Sequence, residues 1–328
     1  MNIAILGLGQ IGASIGLALA PHKERITRIG IDRESRVAQQ AKKIDAVDKI
    51  ALQRKTAVQD ADLVLLALPS DELQETIAHI APYLKEGAVV VDTSPAKSAV
   101  AGWMKESLPQ GRHYVALFPA INPAYLLDPR GGIEAAHADL FKNGIVAIST
   151  PGETSAQALQ LATELVRLLE AEVLYTDMLE VDGIMSTVHI LPQLIASSLL
   201  GMTVGQPGWR DSRKLTGRPY ARLVSALHDQ DGPGALGASA LHNRENITRL
   251  LDTLINGLQK LRNDIANQDA KSLEKRLRQA YEGDQSWWQE RQVGQWARQE
   301  LGVQEIPTIG ETWRDMLLGG LGKKKRQG

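Results

Sequence analysis

The chain contains no cysteine. That excludes disulfides, thiolate metal sites and a cysteine nucleophile, and it fits a reducing compartment, so a cytoplasmic protein is expected. Metal-site patterns are missing too. There is no HExxH, no CxxC and no pair of histidines at i, i+4, the spacing that sets two ligands on one helix face. Excess charge is absent: 37 basic residues stand against 38 acidic ones, a net charge of −1. Nothing therefore points to a nucleic-acid or membrane partner. No apolar run nears the roughly 18 residues that a bilayer span needs. Met1 leads straight into a strand pattern, so no secretory leader is expected. What is left is ordinary for a soluble protein, with 43% hydrophobic and 23% charged residues in 328, enough chain for two domains.

The first 32 residues carry the most information. Asn2–Leu6 reads as a short apolar strand. It runs into Gly7-Leu8-Gly9-Gln10-Ile11-Gly12 and then into a helical pattern through Leu19. A second strand, Arg28–Ile31, ends on Asp32. GxGxxG alone is weak. Placed between a strand and a helix, with an acid about 20 residues on, it is the dinucleotide-binding fingerprint. Gly7 permits the tight turn, Gly9 lets backbone approach a pyrophosphate, and Gly12 lets the helix pack on the sheet. The helix N-terminus, with the backbone of Gln10 and Ile11, offers free N–H groups to the phosphates. Asp32 can accept from the ribose hydroxyls, which favours NAD. Arg33 beside it is a candidate contact for a 2′-phosphate, which keeps NADP as the alternative.

The βα rhythm continues. Ala61–Leu68 is a strand of the kind buried on both faces of a parallel sheet. It ends at Pro69-Ser70-Asp71, and a helix from Glu72 to Leu84 is expected. Ala88–Val91 is another buried strand, ending at Asp92-Thr93-Ser94-Pro95. A strand at Tyr114–Leu117 breaks at Phe118-Pro119. From about residue 177 the strand signal stops. A long apolar helix over Val181–Leu200 is expected, then a Gly/Pro-rich stretch to Pro219, then an amphipathic helix over Asn243–Asn267. Lys271–Tyr281 and Ser286–Glu300 continue the helical character. Trp287, Trp288 and Trp296 read as packing residues, and Lys323–Arg326 as a basic terminal tail. The fold class is therefore α/β: a doubly wound parallel-sheet nucleotide domain over 1–176, then an all-α substrate and dimerisation domain over 177–328. In such sheets ligands lie outside the carboxyl ends of the strands. That places the cofactor against Gly7–Gly12, Asp32, Arg33, Leu68, Pro69, Ser70 and Asp92.

In order along the chain stand GLGQIGAS, ALPS (Ala67–Ser70), DTSPAK (Asp92–Lys97), FPAIN (Phe118–Asn122), HILPQLIA (His189–Ala196) and NRENI (Asn243–Ile247). This series resembles the prephenate/arogenate dehydrogenase family over nearly the whole chain. The resemblance implies a Rossmann domain, a helical dimerisation domain and a homodimer. It implies NAD(P)-dependent oxidative decarboxylation of a small carboxylate substrate. It also exposes departures. Pro95 stands where the family has a serine. Phe118 stands where the family's catalytic histidine would be, and phenylalanine accepts no proton. His189 is displaced by one position, and Gln193 fills the place of a second histidine. His189, Ser94 and Asn122 are then the candidate catalytic groups, and only the imidazole can act as a base near neutral pH. Thr93, Lys97, Gln193, Arg213 and Arg218 are the candidate substrate contacts, the arginines because a guanidinium can clamp a carboxylate. The alternatives are a hydroxyacid dehydrogenase or reductase acting on another carboxylate, or a dinucleotide-binding sensor that has lost catalysis.

Overall fold

The computed structural model describes residues 1–152, 154–228 and 232–293. The chain alternates strand and helix through β1 (Asn2–Leu6), α1 (Gln10–Ala18), β2 (Thr27–Ile31), α2 (Ser35–Lys43), β3 (Lys49–Ile50), α3 (Arg54–Val58), β4 (Leu63–Leu66), α4 (Leu73–Ile80), β5 (Val89–Asp92), α5 (Lys97–Ser107), β6 (His113–Pro119), β7 (Ile145–Ser149), α6 (Ala156–Leu168) and β8 (Glu172–Tyr175). These strands form one sheet in the order β3-β2-β1-β4-β5-β6-β7-β8. Its first six positions follow the 3-2-1-4-5-6 order of dinucleotide-binding sheets, with the reversal between β1 and β4.

Central strands are apolar on both sides because helices cover both faces. Ile3, Ile5, Leu63, Leu65, Val89 and Val91 pack under α1, α2 and α6. Ala4, Leu6, Val64, Leu66, Val90 and Tyr114 pack under α4 and α5. Charged side chains share this interior, Arg28 among them. Arg28 of β2 is fully buried and donates to both Asp48 carboxylate oxygens at 3.0 and 2.7 Å and to the Gly16 carbonyl at 2.8 Å.

The structure corrects the sequence reading in several places. The sheet is not wholly parallel, since β7 runs antiparallel to β6. β3 and α3 were not expected, and the helix expected over Glu72–Leu84 ends at Ile80, with a 3-10 turn at Ala81–Tyr83. In the second half, α7 (Met178–Met185) passes through a π-helical turn, Ser186–Ile190, into α8 (Leu191–Val204). This continuous run of 27 residues is long and apolar enough to cross a membrane by composition alone, against the expectation. It carries buried Asp182 and Gln193 and packs on α5 and α12, while Leu179, Val188 and Met202 are exposed. The Gly/Pro stretch is not irregular but holds α9 (Trp209–Ser212) and α10 (Arg218–Val224). Then follow α11 (Pro233–His242), α12 (Arg244–Ala266) and α13 (Ala270–Val293). The tail Lys323–Arg326, Trp296 and the end of the helix expected to Glu300 lie outside the described residues.

α12 and α13 form a long hairpin. An α-helix rises about 1.5 Å per residue, so helices of 23 and 24 residues bring the end of α13 back to the level where α12 began. Arg276 Nε to Asp264 Oδ2, 3.0 Å, ties the two near their turn. α12 starts against the sheet domain, where Asn243 Nδ2 donates to the Pro95 carbonyl. Hence α13 ends beside the sheet domain as well.

Candidate functional site

The turn after β1 has the geometry that its glycines demand. Gly7 sits at φ +89°, and a Cβ there would fall 2.1 Å from the Ala67 carbonyl oxygen. A Cβ on Gly12 would fall 2.0 Å from the Gly7 carbonyl oxygen. Gly9 meets nothing within 4 Å and lines a cleft of about 600 Å³ together with Gly7, Asp32, Arg33, Arg54, Leu68, Pro69, Glu72 and Ile133. The cleft lies at the β1/β4 reversal, with no side chain capping the first turn of α1. Backbone N–H groups, open space and a helix N-terminus thus meet where a pyrophosphate would sit. Asp32 is held in place by two backbone donors, Leu8 N at 2.8 Å and Glu34 N at 2.9 Å. Gln10 adds only backbone here, because its side chain donates to the Ala135 carbonyl, and Ile11 packs into the core.

Two residues expected at the cofactor, Ser70 and Asp92, do not line this cleft. Ser70 is buried and its hydroxyl pairs with Ser239 of α11 at 2.8 Å. Asp92 is fully buried. Its carboxylate accepts from Tyr114 Oη at 2.6 Å, Ser94 N and Oγ at 2.9 and 2.5 Å, and Lys97 Nζ at 3.0 Å. The same network corrects Lys97 and Ser94. Lys97 also donates to the carbonyls of Asp92 at 3.0 Å and Leu117 at 2.7 Å, so its ammonium has no donor left for a substrate. Burial lowers the Lys97 pKa, against the pull of Asp92. Burial likewise drives the Tyr114 phenol well above its ordinary value. Thr93 and Pro95 are the half-buried residues of this turn.

Ala96, the N-cap of α5, has no side chain that can cap the helix, and the other domain supplies the cap. Asp182 of α7 accepts from Lys97 N at 2.6 Å and Ser98 N at 3.0 Å. A buried carboxylate on two free N–H groups at a helix N-terminus is favoured by hydrogen bonding and dipole alike.

At the carboxyl end of β6, Phe118 faces His189, with ring centroids 6.2 Å apart at 70°. His189 sits on the π turn, and burial lowers its pKa below the ordinary imidazole value, so it is neutral at neutral pH. Gln193 is buried and donates to the His189 carbonyl at 2.9 Å, which makes it a support of that turn. Asn122 is spent locally, its side chain accepting from Ala124 N and donating to the Asp139 carbonyl. Arg213 and Arg218 are exposed at the ends of α9 and α10. Neither hydrogen-bonds to this corner. Another arginine does. Arg291, in the last turn of α13, donates from Nη2 to the Ile121 carbonyl at 2.6 Å. It is half-buried, and among the described residues no carboxylate lies within ion-pair reach of it. Burial lowers its pKa, yet a guanidinium stays charged. The sequence reading missed Arg291 because only the helix hairpin carries it back to residue 121.

Comparison with known proteins follows the same division into halves. Residues 15–175 match the prephenate dehydrogenase nucleotide-binding domain, and residues 179–279 the prephenate dehydrogenase dimerization domain. The cyclohexadienyl dehydrogenase of Zymomonas mobilis is 27% identical over 277 residues, 82% of this chain and 89% of the relative. The prephenate dehydrogenase of Bacillus subtilis is 26% identical over 276 residues, 83% of this chain and 72% of the relative. Among solved structures, prephenate dehydrogenase from A. aeolicus in complex with hydroxyphenyl propionate and NAD+ superposes with a TM-score of 0.75 at 18% identity, covering 87% of this chain and 98% of that one. Synechocystis arogenate dehydrogenase gives a TM-score of 0.65 at 21% identity, covering 88% of this chain and 100% of that one. At these identities the likeness is one of fold.

Proposed function

Because the chain belongs to the prephenate dehydrogenase family, we propose that it is an NAD-dependent dehydrogenase that oxidatively decarboxylates a cyclohexadienyl carboxylate, with His189 as its proton acceptor. The observation that carries this reading is the Phe118–His189 pair. The imidazole missing from the strand is offered to the same corner by the facing helix. Gly7–Gly12 and Asp32 would hold NAD, which would supply the hydride acceptor. The chain's own residues do the rest. Neutral His189 accepts the proton of the ring hydroxyl as hydride leaves the carbon bearing it. Arg291 meets a substrate carboxylate. The ring carboxylate departs as CO2, its bonding pair flows into the ring, the oxygen takes its proton back from His189 as the phenol forms, and aromatisation drives the step.

The assembly is a homodimer through the helical half. Ile255, Leu258 and Ile265 of α12 and Leu277 and Tyr281 of α13 are exposed in the single chain. An apolar stripe of that length is costly to leave in water, and the matched domain is a dimerization domain.

The test is a panel: prephenate and arogenate, each with NAD and NADP, followed by reduced-dinucleotide absorbance. Turnover of either substrate with NAD is expected. NAD binding without turnover of either would make the chain a dinucleotide-binding sensor instead. On the substrate that turns over, Arg291→Gln is expected to raise KM about 10- to 100-fold, the loss of one charge-assisted carboxylate contact. Arg291→Lys should recover part of that. An unchanged KM would remove Arg291 from the substrate site.

A further inference from the structure

The rim of the dinucleotide cleft holds an ion-pair cluster that the reaction does not use. Arg33 follows Asp32 at the end of β2, and Arg54 opens α3. Both reach Glu72, the residue before α4. Arg33 Nη1 lies 2.5 Å from Glu72 Oε1, and Arg54 Nη2 lies 3.9 Å from Glu72 Oε2. One carboxylate thus spends each of its oxygens on a different guanidinium. All three residues line the same cleft as Asp32 and Gly9.

The cluster has little structural work to do. The Glu72 side chain makes no capping bond to α4. Arg33 is largely exposed, and a solvated ion pair adds little stability. Its position matters more. Asp32 marks where the adenosine ribose lies, and an arginine at that place is what receives a 2′-phosphate in NADP-binding relatives of this fold class. Here two arginines are present, yet both face an internal anion. The cleft walls carry three carboxylates, Asp32, Glu34 and Glu72, against two guanidiniums, Arg33 and Arg54. A 2′-phosphate would bring further negative charge to a rim that is already net negative, and would have to displace Glu72 from its partners.

We propose that Glu72 is a cofactor-selectivity residue, a built-in carboxylate that occupies the two arginines a 2′-phosphate would otherwise bind. The inference rests on the dinucleotide-binding reading above and adds how the chain separates NAD from NADP. Removing the Glu72 charge leaves two acids against two bases and frees both guanidiniums.

The experiment is calorimetric titration of the full-length protein with NAD and with NADP. The wild type, Glu72→Gln, Glu72→Ala and the triple variant Glu72→Gln/Arg33→Ala/Arg54→Ala are compared. Thermal melts establish that each is folded. In Glu72→Gln and Glu72→Ala the ratio Kd(NADP)/Kd(NAD) is expected to fall at least tenfold, and the gain to shrink with added salt. In the triple variant the ratio should return toward that of the wild type. An unchanged ratio in both single variants, in protein that still binds NAD, overturns the inference and leaves the cofactor site standing. Binding of neither dinucleotide to the wild type overturns both.

Discussion

His189→Ala is expected to lower kcat by about 10²- to 10⁴-fold, the usual cost of losing one general base, with NAD affinity close to that of the wild type. His189 is the imidazole that faces Phe118 at the carboxyl end of β6, on the same edge of the sheet as the glycine turn after β1. Its pKa is lowered by burial alone, so the proton-accepting form dominates at neutral pH. The acid limb of the kcat/KM profile should therefore lie below the ordinary imidazole value. That limb should vanish in His189→Ala, leaving a slow, pH-flat rate. Phe118→His in the alanine background would return a base to the opposite wall, and partial recovery is the expected result. Stopped-flow rates across pH check all three. Wild-type turnover that survives the His189→Ala change undiminished would show that the proton leaves by another route.

Lys97→Met is expected to destabilise the protein by about 3–5 kcal/mol, because it leaves a buried carboxylate with neutral donors and no countercharge. Asp92 and Lys97 are 0% and 1% exposed in their side chains, out of reach of water that would compensate for a missing partner. The methionine keeps the stem and loses the ion, so the change isolates charge from packing. Against a typical total of roughly 5–15 kcal/mol, that loss is large and should lower the melting temperature by roughly 10 °C. The double variant Lys97→Met/Asp92→Asn should be less destabilised than Lys97→Met, since the carboxylate left alone is then neutral. Equal destabilisation of the two would mean that the Lys97 donors to the Asp92 and Leu117 carbonyls, and not the ion pair, hold β5 to β6.

The same residue shows where sequence is informative and where it is not. A lysine and an aspartate at the end of a buried strand are visible as a chemical pair, and the strand's carboxyl end is where ligands bind. Which way the ammonium turns is decided by neighbours such as Leu117, 20 residues later. The glycine turn and Asp32 were legible because their roles are local: sterics within one βα unit. β3, with only two residues, and α3, with five, are too short to show a period. The antiparallel β7 has the composition of any buried strand, and nothing in its residues states its direction. Arg213 and Arg218 were reasonable carboxylate ligands by sequence position. Arg291 reaches the corner that they do not, because a hairpin of two long helices converts a distance of 170 residues into one hydrogen bond to Ile121. His189 was visible as a histidine displaced by one. That it faces Phe118 depends on the π turn that carries it, which the sequence did not show.

The clasp of Asp182 on the first turn of α5 bears on how the molecule moves. The boundary between the two halves is not uniformly strong. Along one line they are sewn together: Asp182 on Lys97 N and Ser98 N, Ser239 on Ser70, Asn243 on the Pro95 carbonyl and His242 edge-on to Trp103 at 5.0 Å. Parting there would uncover two donors and a carboxylate that only each other satisfy, a far greater cost than sliding one apolar ring from another. The seam is therefore the stiff side of the boundary, and the Phe118–His189 corner, held by one ring contact and the single Arg291–Ile121 hydrogen bond, is the weaker side. Strain between the halves is then felt at that corner before it reaches the clasp on α5.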